Sequence, residues 1–399
     1  MDPRRRPGSK NQKGDKGKGR SSSHPPTERG SLEALKSKSL YMCTSQLYSN
    51  FDSKWVVHRI RMSDILSSPS LSSASGSAKI CLNQVATESG PLPCDAGCGV
   101  FKSTIFLGGG LEMVNTDADL NDFASYGPPL SKRVFYVELD HQRVKPFFPS
   151  LIGGKEAPLL LEIKGELYVI DGDQFERKYD EERFERFDEQ SNQWKPLPRP
   201  PIWDRSSVYY HTQIGLTSVI TDSSILISRP RKTTPIFRFD FTNPNARWSE
   251  TKLKYFPFKG TTLVHKCPSY SGGFIISAID LCPEGDRNRF PRIKLYRMSE
   301  AYDTLNLLGT MELPSTDYLS PVFTIPVTHT FLDLGDQRVG LVLTKYDNEM
   351  LKFLVATFQY KISPFSYQCL SEPVELEYDV LVHPESCTRM VDLLGAFVL

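Results

Sequence analysis

Charged loops, a rim tryptophan and scattered cysteines and histidines are the parts of this chain with chemical capacity. Asp171, Asp173, Asp180, Glu181 and Glu182 form an acidic stretch, and Arg229, Arg231 and Lys232 form a basic one; between them runs Pro200-Pro201-Ile202-Trp203-Asp204-Arg205. The acidic stretch lacks the alternating oxygen ligands and the twelfth-position glutamate of a calcium loop, so it reads as a solvated strand connection. Tryptophan and arginine are enriched where one protein anchors on another. The candidate binding residues are therefore Trp203, Arg205, Arg229, Arg231, Lys232, Asp173, Asp180 and Glu181. The basic groups would engage an acidic partner segment, and the acidic ones would repel it out of register.

Other chemistry has less support. The seven histidines, at 24, 58, 141, 211, 265, 329 and 383, show no pair at metal-binding spacing. Cys81, Cys94 and Cys98, with Cys43 or His58 as a fourth ligand, approach a zinc set but lack a second closely spaced pair. No Gly-rich phosphate loop, Gly-x-Ser-x-Gly elbow or kinase signature is present. No catalytic residue, metal or cofactor is expected.

Those residues need a scaffold, and a cadence supplies it: apolar strand, turn, second strand ending near an acid, then an aromatic and a proline-rich exit. Leu167-Tyr168-Val169-Ile170 leads to Phe184-Glu185-Arg186-Phe187-Asp188, then Trp194 and Pro198; Ile225-Leu226-Ile227-Ser228 leads to Ile236-Phe237-Arg238-Phe239-Asp240, then Trp248 and Pro257. A strand repeat of about fifty residues is the signature of a propeller blade, which must stack on neighbours to bury its faces. Second strands starting at Leu40, Leu111, Leu167, Ile225, Phe274 and Val339 give six copies. First strands are expected at Thr104–Leu107, Leu159–Ile163, Leu216–Ile220, Thr261–His265 and Thr328–Leu334. The first copy has none, while Met390–Leu399 is a surplus strand at the other end. The inference is that the C-terminal strand completes blade one and removes the exposed edges.

Residues 1–34 are Arg, Lys, Gly, Ser and Pro with little to bury, the composition of a disordered basic tail. Met1 to Arg20 holds eight basic residues against two acidic, leaving 40 basic and 45 acidic in the remainder. Nucleic acid binding would rest on that tail alone. Residues 35–399 form the propeller, with a loop insertion at 67–99. Eight cysteines without an apolar signal-peptide core point to free thiols in a reducing compartment, cytoplasmic or nuclear. No apolar run could span a bilayer as a helix, and a monomer is expected.

An apolar strand, Gly-Gly, an aromatic in the next strand and a following tryptophan resemble kelch repeats, over residues 38–399. Gly108-Gly109, Asp171-Gly172, Trp194 and Trp248 carry that resemblance, although several copies are degenerate. The segments Asp240, Trp248, Leu253–Pro257 and Trp194, Leu197, Pro198, Pro200-Pro201 are similar to plant-type kelch proteins, which implies a plant source. Many relatives carry an F-box, for which the residues before the first strand are too few and too polar. The resemblance implies an all-β, six-bladed kelch-like propeller that binds a protein partner through the loops of one face. Because some kelch-like propellers are copper or iron enzymes, it also implies an alternative, a metal-dependent enzyme; Tyr209-Tyr210-His211 is the only local cluster that hints at copper ligands, and it reads more simply as the start of blade four.

Overall fold

Apolar runs of about five residues, each ended by a residue tolerating a left-handed backbone, fold back into antiparallel hairpins. Lys164 (φ 54°) and Gly165 (φ 75°) form one such turn, placing Leu160 opposite Val169. The structure, a computed structural model, describes residues 28–48, 53–67, 82–112, 129–172, 182–202, 216–229, 235–243, 245–266, 272–280, 292–312, 328–347, 350–362, 367–369, 374–381 and 388–399.

Blade 1 begins after helix α1 (Glu28–Lys36) with β1 (Ser39–Tyr48) and β2 (Ser53–Arg61), then helix α2 (Met62–Ser67) and β3 (Asn83–Gly90). Blade 2 holds β4 (Gly97–Phe101), β5 (Thr104–Gly108), β6 (Val134–Glu138) and β7 (Arg143–Phe147). Blade 3 holds β8 (Leu159–Ile163), β9 (Glu166–Ile170), β10 (Phe184–Asp188) and β11 (Gln193–Pro196). Blade 4 holds β12 (Thr217–Ile220), β13 (Ser224–Ser228), β14 (Phe237–Asp240) and β15 (Ser249–Glu250). Blade 5 holds β16 (Leu263–Lys266), β17 (Phe274–Asp280), β18 (Arg292–Met298) and β19 (Leu305–Glu312). Blade 6 holds β20 (Thr328–Asp333), β21 (Arg338–Asp347) and β22 (Met350–Ile362), whose outer edge pairs with both β23 (Tyr367–Cys369) and β24 (Val374–Leu381). The last strand, β25 (Thr388–Val398), returns to blade 1.

Six antiparallel sheets arranged in sequence are a six-bladed all-β propeller. The apolar residues of each strand alternate between two sheet faces, so every blade contributes to two seams. Tyr41, Cys43, Trp55 and Val57 of blade 1 meet Ile105, Leu107 and Phe135 of blade 2, whereas Leu40, Met42 and Ile60 meet Val342, Phe353 and Val355 of blade 6. Four further clusters fill the remaining seams. The ring is closed as expected. β25 pairs with β1 from Leu40 opposite Val398 to Leu47 opposite Met390, and Ser39 and Leu399 exchange both backbone hydrogen bonds at 3.0 Å.

Three expectations change. Residues 28–36 are helical rather than part of a tail, because Leu35 is buried against Met62 and Ile65; residues 1–27 lie outside the described residues. The stretch 67–99 contributes β3 and the start of β4, while 68–81 lies outside the described residues. Gly97 and Gly99 resemble loop composition, but they let β4 lie against β8: a Cβ on Gly97 would stand 1.9 Å from the Pro158 carbonyl oxygen. Finally, Thr104–Gly108 is the second strand of blade 2, not the first. Leu111 makes only isolated bridges to Cys94 and Leu130, so Gly108-Gly109 stands at the end of the second strand rather than before it.

Candidate interaction face

The connection from β7 to β8, residues 148–158, is held by many hydrogen bonds and lies at the surface of the ring. It leaves the end where Leu159, Ile170 and Phe184 lie side by side, so it shares a face with the connection between β9 and β10. The two connections touch: the Gly172 amide donates to the Glu156 carbonyl at 3.0 Å. Gly153 and Gly154 let the segment slip between blades 2 and 3, since Cβ atoms there would stand 2.3 Å from the Glu182 carbonyl oxygen and 2.5 Å from the Leu130 Cβ. Leu151 and Lys155 amides donate to Lys132 and Ser131 carbonyls at 2.9 and 3.2 Å, and the Gly110 amide donates to the Lys155 carbonyl at 2.6 Å.

Beneath this connection lie two ion pairs with almost no exposure, Lys155 with Glu185 and Arg183 with Asp171. The Lys155 ammonium also donates to the carbonyls of Gly153 (3.0 Å) and Glu182 (2.9 Å). The Glu185 carboxylate accepts the amides of Ile152 (2.8 Å) and Gly153 (3.0 Å), and Asp171 accepts that of Glu156 (2.9 Å). A buried charge pair is tolerable only when its remaining donors and acceptors are satisfied, and backbone groups supply them for Lys155, Glu185 and Asp171. The consequence is a fixed loop base. Asp171, read from sequence as part of a solvated stretch, is in fact wholly buried and paired.

On this base stand Phe148, 72% exposed, and Ile152, 41% exposed. Tyr255, 42% exposed, occupies the equivalent connection between blades 4 and 5. None was singled out by sequence, because an apolar residue beside a strand reads as core. The available signal was Phe148-Pro149 directly after β7 and before Gly153-Gly154.

Of the eight residues expected to bind, only Arg229 is described; it is partly buried at the exit of β13. Trp203, Arg205, Arg231, Lys232, Asp173, Asp180 and Glu181 lie outside the described residues. Their approaches are placed, however. Ile202 is buried in the seam of blades 3 and 4, and the β9–β10 and β13–β14 connections leave the same face as Phe148 and Ile152.

Among the described residues no three His, Cys, Asp or Glu side chains converge on a metal position. Cys43 and His58, the alternative fourth ligands of the zinc set suggested by sequence, point to opposite faces of blade 1, and Cys81 lies outside the described residues. Cys43 faces blade 2, while the His58 ring lies 5.4 Å from that of Phe353 in blade 6. At the opposite face of the ring, His265 bonds the Tyr360 hydroxyl through Nδ1 and approaches Asp333 at 3.3 Å through Nε2. That bond holds the Asp333 carboxyl below its ordinary value. Tyr360 is 1% exposed, so this cluster fastens blades 5 and 6 rather than presenting a phenol to a substrate. Burial lowers the His329 pKa to about 4, against a 3.3 Å contact with the Thr261 carbonyl that favours the proton.

A family model described as "Protein of unknown function (DUF1668)" matches residues 130–264, from the entry to β6 through to β16. No curated protein matches the chain. Solved structures similar to the chain at low identity include three of interest. YjhT is 10% identical with a TM-score of 0.45, over 83% of this chain and 97% of that one. The periplasmic gluconolactonase PpgL of Pseudomonas aeruginosa is 12% identical with a TM-score of 0.43, over 87% and 86%. AofleA of Arthrobotrys oligospora is 13% identical with a TM-score of 0.38, over 88% and 90%. The six-bladed architecture rests on the sheets themselves. No helix among the described residues is long and apolar enough to cross a membrane.

Proposed function

We propose that this propeller is a protein-binding module that works through the face carrying the connections between blades. The observation that carries the reading is the pairing of exposed apolar side chains, Phe148 and Ile152, with a loop base pinned by fully buried ion pairs. An anchor held on pre-ordered backbone loses little conformational freedom on binding, which is where interface affinity is usually lost. Arg229 stands at the exit of β13, whose connection leaves the same face, and the sequence adds Trp203, Arg205, Arg231 and Lys232 as candidate contacts for an acidic partner segment. The glycine pair after β5 and the tryptophans of blades 3 and 4 support the kelch-type reading of the repeats.

The test compares the proteins recovered by the wild type with those recovered by Phe148→Ala/Ile152→Ala and by Arg229→Ala/Arg231→Ala, and then measures affinity for a purified recovered partner. Loss of at least about thirtyfold, corresponding to about 2 kcal/mol, is expected with melting temperatures unchanged. Undiminished affinity in both folded variants would move the site away from this face.

A further inference from the structure

We propose that Cys43 and Cys98 are a redox-active pair that closes as a disulfide across the seam between blades 1 and 2. Cys43 sits in β1 directly opposite Gly395 of the closing strand, and Cys98 sits in β4 on the neighbouring blade. A Cβ on Gly395 would stand 3.3 Å from the Cys98 Cβ, so the missing side chain at 395 is what lets the two thiols face each other. They share a hydrogen bond, pack with one apolar cluster and are both free thiols. Two hydrogen-bonded thiols from neighbouring blades are placed to be joined by a disulfide.

The co-reactant is a hydroperoxide. The Cys98 thiolate, on the less deeply buried of the two residues, attacks the peroxide oxygen; the O–O bond breaks, giving a sulfenic acid and, after protonation, water. The Cys43 sulfur then attacks the sulfenic sulfur and displaces its oxygen as a second water. Overall, two thiols and one hydrogen peroxide give one disulfide and two waters, with both sulfurs oxidised and both peroxide oxygens reduced. Burial, then the hydrogen bond shared with Cys43, which favours the protonated form, pushes the Cys98 thiol well above its ordinary range. Oxidation is therefore slow at neutral pH and accelerates as pH rises. The bond formed would join the second strand of blade 1 to the inner strand of blade 2 and hold β25 beside it, locking the ring at its closing blade. Enclosing residues 43–98, it should raise the melting temperature by about 5 °C.

The experiment uses the full chain, reduced and then exposed to hydrogen peroxide. Intact mass should fall by the two hydrogens lost. Non-reducing tryptic digestion should join the peptide holding Cys43 to the peptide holding Cys81, Cys94 and Cys98, and fragmentation of the wild-type pair should place the link on Cys98. Cys43→Ala and Cys98→Ala should each abolish the link and the melting shift, while Cys94→Ala retains both; dithiothreitol should reverse them. Absence of the cross-link in the peroxide-treated wild type, or fragmentation placing it on Cys81 or Cys94, overturns the proposal whether or not the variants fold.

Discussion

The indole N–H of Trp248 in blade 4 donates to the carbonyl oxygen of Pro198, 2.7 Å away on the connection that leaves blade 3. Trp194 makes the same bond to Pro149 at 2.9 Å between blades 3 and 2, and Trp55 donates to Pro93 at 3.2 Å on the connection between blades 1 and 2. A proline carbonyl has no N–H beside it to bind a sheet edge, and the indole has one donor and no acceptor, so the two satisfy each other across a seam. Trp248→Phe keeps a ring against Phe239 and removes only the donor. Thermal and denaturant melts should show a loss of about 1 kcal/mol. A Trp248→Phe protein as stable as the wild type, beside a destabilised Trp248→Ala, would assign the residue to packing alone.

The ion pairs under Phe148 and Ile152 give a second expectation. Lys155→Met strands the Glu185 carboxylate in a dry site and should cost about 3–5 kcal/mol in denaturant unfolding. Adding Glu185→Gln removes the stranded charge but keeps an acceptor for the Ile152 and Gly153 amides, so the double variant should recover a clear part of that loss. A double variant no better than Lys155→Met would show that the pair is not the unit that stabilises the connection.

Much of the ring could be read from the sequence because a propeller strand advertises itself when both its faces are apolar. Leu167–Ile170, Phe184–Asp188 and Ile225–Ser228 fall where their residues place them, and the surplus strand at the C-terminus found its partner. The strands in 67–99 were hidden for opposite reasons. β3 lies at the outer edge and is largely polar, whereas β4 is glycine-rich because it touches another backbone. The candidate face was less legible still. Lys155, Arg183 and Glu185 look like surface residues until the fold brings their partners from 30 and 12 residues away, since a buried charge carries no local signature.

Ring closure can be tested directly. Deleting residues 388–399 removes β25, exposes the inner edge of β1 and opens the Leu393 and Ala396 contacts with the cluster that joins blades 6 and 1. The expected outcome is loss of cooperative unfolding, seen as a broad or absent calorimetric transition. A truncated chain that melts like the full one would mean that the ring does not depend on its clasp.

Acid should weaken this protein through His58. Burial, with the nearby Lys54 charge adding to it, lowers the His58 pKa from 6.5 to about 4 in the folded state. Its Nε2 has no hydrogen-bond partner among the described residues. Between those two values the unfolded chain takes up a proton that the folded one refuses. Stability is therefore complete above pH 6.5 and falls as pH drops toward 4, by about 2 kcal/mol at pH 5 for this residue. His329, lowered to the same value by burial, adds its own loss in the same window. His58→Leu removes the first contribution and leaves the second. Denaturant unfolding at pH 7.5 and pH 5 should show the gap between the two conditions narrowing by about 2 kcal/mol in the variant. An equal gap in both proteins would place the acid sensitivity in His329; the carboxylates Asp188, Asp240 and Asp333, lowered from 3.8 by their partners, lose their contribution only below this window.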